Sequence, residues 1–347
     1  MVIRVCYFTE QGKQLFERIS GEWEEIIPEI RQRTQVLEAW VEESFQRHLP
    51  ILFIGACGIA VRSIAPFVRD KLEDSPVLVM DEKGEFVIPI LSGHVGGANA
   101  LAKMIAERTG ARAVITTATD VEGVFSVDVF AAENGFRIAG REGIRWISGK
   151  LLHGETVTVA IDPAVLLPKE PYPEGFRVIP YETAEADLRI CAFSSEEALK
   201  RGGLRQKLLL ISKPYVAGIG CKKGKSFEEL KRFLEENLPE EVLDNLSAIA
   251  SIDLKARESG LAALAQYERV PFCTYPAERL SAVKGDFSES AFVQSVTGVS
   301  NVCERAALCC AGEEGSLIIK KTARDGMTLA LAEKRAAVRS WKSSSGI

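Results

Sequence analysis

The sequence predicts a multi-domain α/β protein: an N-terminal doubly wound, mostly parallel sheet, a variable middle segment and a smaller C-terminal α/β domain. Three observations carry this. Short continuous apolar runs such as Ile51 to Gly55 are what parallel strands covered on both faces look like. These runs alternate with helix-patterned stretches and are punctuated by glycine turns. The length, 347 residues, exceeds what one hydrophobic core usually organises.

Val2 to Thr9 is a β-rich run followed by a polar helical stretch, the opening of an α/β unit. Ile51 to Gly55 is the next strand, and GACGIAVRSIAPFVRDK turns from it into a helix. Val77 to Met80 and Phe86 to Leu91 are strands on either side of the DEKG turn, where Gly84 supplies the turn backbone. Asn99 to Arg108 reads as a helix closed by Gly110, a position where glycine tolerates a left-handed backbone. Ala113 to Thr117 is a further strand. From Phe136 to Arg205 the pattern loosens, prolines crowd Pro163 to Pro173, and RGGLRQK reads as a linker. KLLLIS and YVAGIG then read as strands of a new unit. SFEELKRFLEENL opens with a Ser-x-x-Glu capping box at Ser226 and Glu229. Ser247 to Ile252 is a strand, VTGVSNVCERAALCCAG a glycine turn entering a helix, and SLIIKK with MTLALA a closing hairpin. The expected domains are 1–135, 136–205 and 206–335, with 336–347 a mobile tail.

Bulk properties exclude several function classes. The formal charge of -5 argues against a general nucleic-acid binder. The longest apolar stretch, Pro50 to Val61, is broken by two glycines and falls short of the ~20 residues a bilayer needs. MVIRVCYFTEQG has no signal-peptide pattern, so a cytoplasmic protein is expected. The eight cysteines include no CxxC pair, which predicts reduced thiols and no metal site.

Ligands of open parallel sheets bind outside the carboxyl ends of the strands. Six loops are assigned there: GACGIAVR, SGHVGGAN, TTATDVEG, GIGCKKG, SIDLKARE and TGVSNVCE. Most join small residues to a helix start, where free N–H groups face an anion. None has nucleotide-loop spacing: Gly93, Gly96 and Gly97 miss GxGxxG, and GIGCKKGKS misses the P-loop register. The candidate binding residues are Gly55, Gly58, Arg62, Ser92, Gly93, Gly96, Gly97, Asn99 and Thr117 in the first half. In the second half they are Gly220, Cys221, Lys222, Lys223, Asp253, Lys255, Glu258 and Ser300. The bland alternatives are close helix–strand packing for the glycines and solvated loops for the lysines and the Asp253–Glu258 charge run. His94 is the sharper signal, since a histidine before a helix N-terminus suits a neutral general base. Asp120 suits a helix cap or a ligand hydroxyl. Cys221 and Cys303 read as small packing residues, and His48 and His153 as surface histidines.

At this point the motifs match a family. The stretch IGACGIAVRSIAPFVRDKLEDSPVLVMDEKGEFVIPILSGHVGGANALAKMIAERTGARAVITTATD resembles, almost continuously, the N-terminal region of the cobalt-precorrin-5A hydrolase (CbiG) family of anaerobic cobalamin biosynthesis. GIGCKKG, SIDLKARESGL, TGVSNVCERAAL and the strand IIKK resemble that family's C-terminal domain. The resemblance implies an enzyme, a hydrolase acting on a carbon–carbon bond. Water opens the δ-lactone that ties the ring A acetate to C20, and the two-carbon fragment leaves as acetaldehyde, giving cobalt-precorrin-5B. It implies no cofactor and no protein metal, because cobalt arrives with the substrate. The partners implied are this corrinoid and other enzymes of the pathway, with no nucleic acid and no membrane. The roles expected on that basis are His94 as base toward water or the departing alkoxide, Asp120 or Glu304 for the second proton transfer, and Gly96 and Gly97 N–H groups for the oxyanion. The alternatives are a non-catalytic carrier of corrinoid intermediates and, further off, a nucleotide-dependent enzyme.

Overall fold

The first strands show how the sequence builds a two-faced sheet. In β1 (Val2–Tyr7), β3 (Ile51–Ile54) and β4 (Val77–Met80), alternate residues enter different cores. Ile3, Val5, Leu52, Ile54, Leu78 and Met80 pack on one face with Leu15, Phe16 and Ile19 of α1 (Glu10–Ser20) and with Leu101 and Ile105 of α4 (Ala98–Thr109). Cys6, Ile51, Phe53, Val77 and Val79 pack on the other with Trp40 and Val41 of α2 (Leu37–Gln46) and with Ala60 and Ile64 of α3 (Cys57–Ile64). Side chains alternate along a strand, so a continuous apolar run needs cover on both sides. This is the doubly wound arrangement expected.

The computed structural model describes residues 1–23, 26–70, 73–94, 96–116, 124–288, 294–295 and 297–342. The chain divides into two compact units, Met1–Gly123 and Val124–Gly346. In the first, with β2 (Ile27–Ile30), β5 (Phe86–Leu91) and β6 (Arg112–Ala113), the strand order is β2-β1-β3-β4-β5-β6. β2, β1, β3 and β4 are mutually parallel, whereas β5 runs antiparallel to β4 and β6 runs parallel to β5.

The second unit holds two sheets among its described residues. β7 (Phe136–Ala139), β8 (Val157–Ile161), β9 (Phe176–Ile179), β10 (Glu185–Cys191) and β11 (Arg205–Ser212) stand in the order β7-β11-β10-β8-β9. They alternate with α5 (Val127–Asn134), α6 (Glu142–Leu152) and α7 (Glu196–Arg201). The loosely patterned segment thus contains a sheet, and KLLLIS belongs to it. That run pairs with β10 and β7 rather than opening the C-terminal sheet. The break between the sheets therefore falls after Ser212, not at residue 205, and the break between units falls before Val124, not at residue 135.

The last sheet contains β12 (Tyr215–Cys221), β13 (Leu246–Ile252), β14 (Phe272–Tyr275), β15 (Ser316–Arg324) and β16 (Met327–Glu333), ordered β14-β13-β12-β16-β15. Its helices are α8 (Phe227–Asn237), α9 (Glu240–Asp244), α10 (Ser259–Tyr267), α11 (Ala277–Ser281) and α12 (Val302–Ala311). The capping box starts α8 as expected, with Ser226 Oγ accepting from Glu229 N–H at 3.2 Å and Glu229 Oε2 accepting from Ser226 N–H at 2.9 Å. Residues 336–342 are not a loose tail. Leu166 and Ala337 form a parallel bridge. Asn134 Oδ1 accepts from Arg339 N–H at 2.7 Å. Trp341, 3% exposed, stacks on Phe130 with ring centroids 5.3 Å apart. Burial of the Trp341 ring, the Leu166–Ala337 bridge and the Asn134 hydrogen bond together offset the ordering of the segment.

Candidate functional site

A lysine-lined site lies at one end of the C-terminal sheet. β12, β13 and β14 are parallel, so the loops that leave them emerge together. Gly218 explains how α12 joins them. A Cβ there would lie 1.9 Å from the Cys303 carbonyl oxygen, so only glycine lets the helix rest directly on β12. A Cβ at Gly220 would meet Thr328 Oγ1 at 2.6 Å. The N-terminus of α12, capped by Asn301, is thereby held beside GIGCKKG and SIDLKARE. Three of the six loops assigned to strand ends do converge.

Between them is a cavity of about 450 Å³. Lys222, Lys223, Lys255 and Lys321 line it, with Gly220, Cys221, Ile252, Thr297, Asn301, Val302, Cys303, Gly326 and Thr328. Lys255 Nζ pairs with Glu258 Oε1 at 2.9 Å, and Glu258 Oε2 accepts from Gly224 N–H at 3.0 Å. Burial raises the Glu258 carboxyl, but the Gly224 amide and the Lys255 ammonium outweigh it and hold the group below the usual carboxylate range. Lys222 and Lys321 form no ion pair among the described residues, so the cavity keeps positive charge for an incoming anion. Burial pushes the Cys221 and Cys303 thiols up to about 11, which leaves them as packing groups rather than nucleophiles.

Of the residues expected here, Gly220, Cys221, Lys222, Lys223 and Lys255 line the cavity, and Glu258 supports it from behind. Asp253 is exposed and opens a short 3₁₀ turn, and neither it nor Ser300 belongs to the lining. Glu304 does not fit an acid–base role. It is fully buried and absent from the lining, and its carboxylate accepts from Asn301 Nδ2 at 2.6 Å, Lys321 N–H at 2.7 Å and Ser288 N–H at 3.1 Å. Asn301, Lys321 and Thr328 are lining residues that loop chemistry did not single out. The signal available for Lys321 was its place in the strand IIKK.

The His94 loop is built differently. Ser92 takes a left-handed backbone with φ 54° and donates its hydroxyl to Asp74 O at 2.8 Å. Asn99 N–H reaches Gly93 O at 2.9 Å, and Ala98 N–H reaches Ser92 O at 3.1 Å. A Cβ at Gly93 would lie 2.6 Å from Asn99 Oδ1, and one at Gly96 would lie 2.5 Å from Ser92 Cβ. The two glycines thus close the loop on itself and leave His94 half-buried before α4. Gly97, with φ 83°, is the N-cap residue, but its N–H already donates to His94 O at 2.9 Å. That hydrogen bond removes Gly97 as an oxyanion donor.

One spatial expectation fails. Because β5 is antiparallel to β4, with Leu91 opposite Val77, the His94 loop lies at the amino ends of β3 and β4. Gly55, Gly58 and Arg62 lie at their carboxyl ends, about 13 Å away along a four-residue strand. The structure therefore does not bring GACGIAVR together with SGHVGGAN. Arg62 is exposed, and its guanidinium lies over Gly58, where a Cβ would be 3.5 Å from Arg62 Nη1. Thr117 and Asp120 lie outside the described residues. His153 is exposed, as expected, while His48 is half-buried. All eight cysteines are free thiols. Among the described residues no cluster of His, Cys, Asp and Glu could hold a metal ion, and no helix is long and apolar enough to cross a membrane.

Comparison with known proteins supplies the frame. Residues 39–120 match the family model described as cobalamin synthesis G N-terminal, and residues 215–332 match cobalamin synthesis G C-terminus. The cobalt-precorrin-5A hydrolase of Salmonella typhimurium is 36% identical over 296 residues, which span 83% of each chain. That of Priestia megaterium is 30% identical over 293 residues, covering 80% of this chain and 76% of the relative. Protein CobE of Sinorhizobium sp is 35% identical over 120 residues, 34% of this chain and 78% of that protein. With both family models matched in order and relatives similar over most of their length, the chain belongs to the cobalt-precorrin-5A hydrolase (CbiG) family.

Proposed function

We propose that this protein is a cobalt-precorrin-5A hydrolase of cobalamin biosynthesis that opens the substrate's δ-lactone and releases acetaldehyde. The observation that carries the reading at the level of this chain is the lysine-lined cavity at the end of β12 and β13. A corrin precursor is fringed with acetate and propionate carboxylates, and Lys222, Lys223 and Lys321 offer charge-assisted hydrogen bonds to them. The site is concave, with the apolar residues Ile252, Val302 and Cys303 among its lining, and a macrocycle packs well on such a surface. Cobalt arrives as part of the substrate, and the proposed steps use only groups of this chain, water and the substrate itself.

His94 is the base assigned to water. Its imidazole takes a proton as the water oxygen attacks the lactone carbonyl, and Gly96 N–H is the loop donor assigned to the resulting oxyanion. Collapse breaks the lactone C–O bond. The freed alkoxide at C20 then forms the carbonyl of acetaldehyde as its one C–C bond to the ring breaks, and the electron pair of that bond passes into the conjugated macrocycle. Asp120 remains the candidate for the second proton transfer, since Glu304 is committed to the interior.

The test is acetaldehyde release from cobalt-precorrin-5A by the wild-type protein and by His94→Gln. Loss of a general base lowers kcat by about 10²–10⁴-fold with the protein still folded. Unchanged release by His94→Gln would remove that residue from the mechanism. Corrinoid binding by the wild type without any acetaldehyde would instead favour a carrier.

A further inference from the structure

The pairing of β15 with β16 contains an irregularity that has a functional address. Ile319 stands opposite Leu331 and Thr322 opposite Leu329, so Lys320 and Lys321 together face the single residue Ala330. This two-against-one count is a β-bulge, a device that re-aims side chains and is common beside active sites. The two lysines diverge there. Lys320 is 68% exposed and pairs with Asp286 at 3.1 Å, whereas Lys321 lines the cavity.

The bulge is pinned by the buried carboxylate left without a catalytic role. Lys321 N–H, off the ladder, donates to Glu304 Oε1 at 2.7 Å. Glu304 Oε2 accepts from Asn301 Nδ2 at 2.6 Å and from Ser288 N–H at 3.1 Å. Asn301 closes the circuit by donating to the Ser288 carbonyl at 2.9 Å and by capping Glu304 N–H through Oδ1 at 3.0 Å. A fully buried carboxylate is costly unless its acceptors are used, and here they are used on backbone and amide donors. Its location, one residue behind the lining residue Cys303 and directly on the bulge, couples the start of α12 to the direction of Lys321.

Resting on the reading that this cavity takes the carboxylate fringe of the corrin, we propose that Lys321 is a specificity-determining contact for one substrate carboxylate. Glu304 is its positioning residue. Lys321 contributes to binding before and through the reaction equally, so its removal acts on KM and leaves kcat near its original value.

Five proteins decide it: wild type, Lys321→Met, Lys321→Arg, Glu304→Gln and the Lys321→Met/Glu304→Gln double variant. Each is assayed for acetaldehyde release from cobalt-precorrin-5A. Each is also titrated by absorbance with cobyrinic acid, a stable cobalt corrin with free carboxylates, and with its heptamethyl ester. Lys321→Met is expected to raise both KM and the Kd for cobyrinic acid about tenfold, with kcat within about twofold and ester binding unchanged. Lys321→Arg restores part of the loss. Glu304→Gln shows a smaller rise in the same direction, and the double variant is no weaker than Lys321→Met alone, because Glu304 acts through Lys321.

Cobyrinic acid affinity in Lys321→Met equal to wild type overturns the contact. Additive losses in the double variant overturn the positioning role. Should Glu304→Gln fail to fold, Ser288→Ala replaces it. That change removes the hydroxyl that donates to Glu304 Oε1 at 3.4 Å and accepts from Asn301 Nδ2 at 2.9 Å, and unchanged affinity there counts against positioning. A wild type that binds cobyrinic acid but releases no acetaldehyde defeats the hydrolase reading while the binding arm still judges Lys321. A wild type that neither binds nor turns over defeats both.

Discussion

Glu268 shows how a single half-buried acid shapes pH behaviour. Burial, reinforced by Glu235, raises its carboxyl to about 7, although Lys231 and Lys213 pull the other way. In the unfolded chain a glutamate titrates near ~4.3. Between those values the folded state holds a proton that the unfolded state has released, so stability falls as pH rises from about 4.3 to about 7. Glu268→Gln is expected to flatten this part of the Tm-against-pH curve and to raise Tm at pH ~8 relative to wild type. Parallel Tm curves for the two proteins would refute the assignment. At this scale the sequence was legible where chemistry is local. Lys222 and Lys223 sit in one glycine loop that reads as a candidate binding loop, and both line the cavity. Glu304 was misread because its neighbours in sequence say nothing of its burial, which comes from Ser288 and Lys321, 16 and 17 residues away.

At the scale of elements, Gly218 predicts how little tolerance the helix–sheet contact has. Gly218→Ala would place a methyl 1.9 Å from Cys303 O and 2.9 Å from Ala307 Cβ. Backbone on one side and a core helix on the other give it nowhere to move. An overpacking loss of about 3 kcal/mol is expected in urea unfolding, together with weakened corrinoid binding, because α12 carries Asn301, Val302 and Cys303 into the cavity. A loss below ~0.5 kcal/mol would mean that the helix has room to slide. β1, β3, β4 and β5 of the first sheet are readable because each is a short apolar run between turns. β2, with proline and glutamate in IPEI, carries no such signal, and β6 lies at Arg112–Ala113 where a strand from Ala113 onward was expected. The middle sheet was not. β9 is a four-residue edge strand whose two central residues are exposed, and the prolines before it obscure any period. The DEKG turn did reveal the β4–β5 hairpin. Its consequence, that the His94 loop faces the other end of the sheet, is a matter of strand direction that no single motif states.

For the whole molecule, the final residues tie the second unit to its own beginning. Asn134 Nδ2 donates to Ser340 O at 3.2 Å, and Glu170 accepts from Trp341 N–H at 3.0 Å and from Ser340 Oγ at 2.9 Å. Trp341 lies against Phe130 and also packs on Tyr172 edge-on, with centroids 5.2 Å apart. Trp341→Ala is expected to cost the second unit about 3 kcal/mol by thermal or urea denaturation, with α5 and the Leu166 segment losing hydrogen-exchange protection first. Undiminished protection there would show that the C-terminal segment is dispensable. The two-hundred-residue reach of these contacts also bears on synthesis. Trp341 is synthesised long after Phe130 and Tyr172, so their aromatic slot stays unfilled while the chain between them emerges. The slot therefore closes only once Trp341 has emerged, and a chain stalled before it would leave a sticky aromatic surface for chaperones to cover.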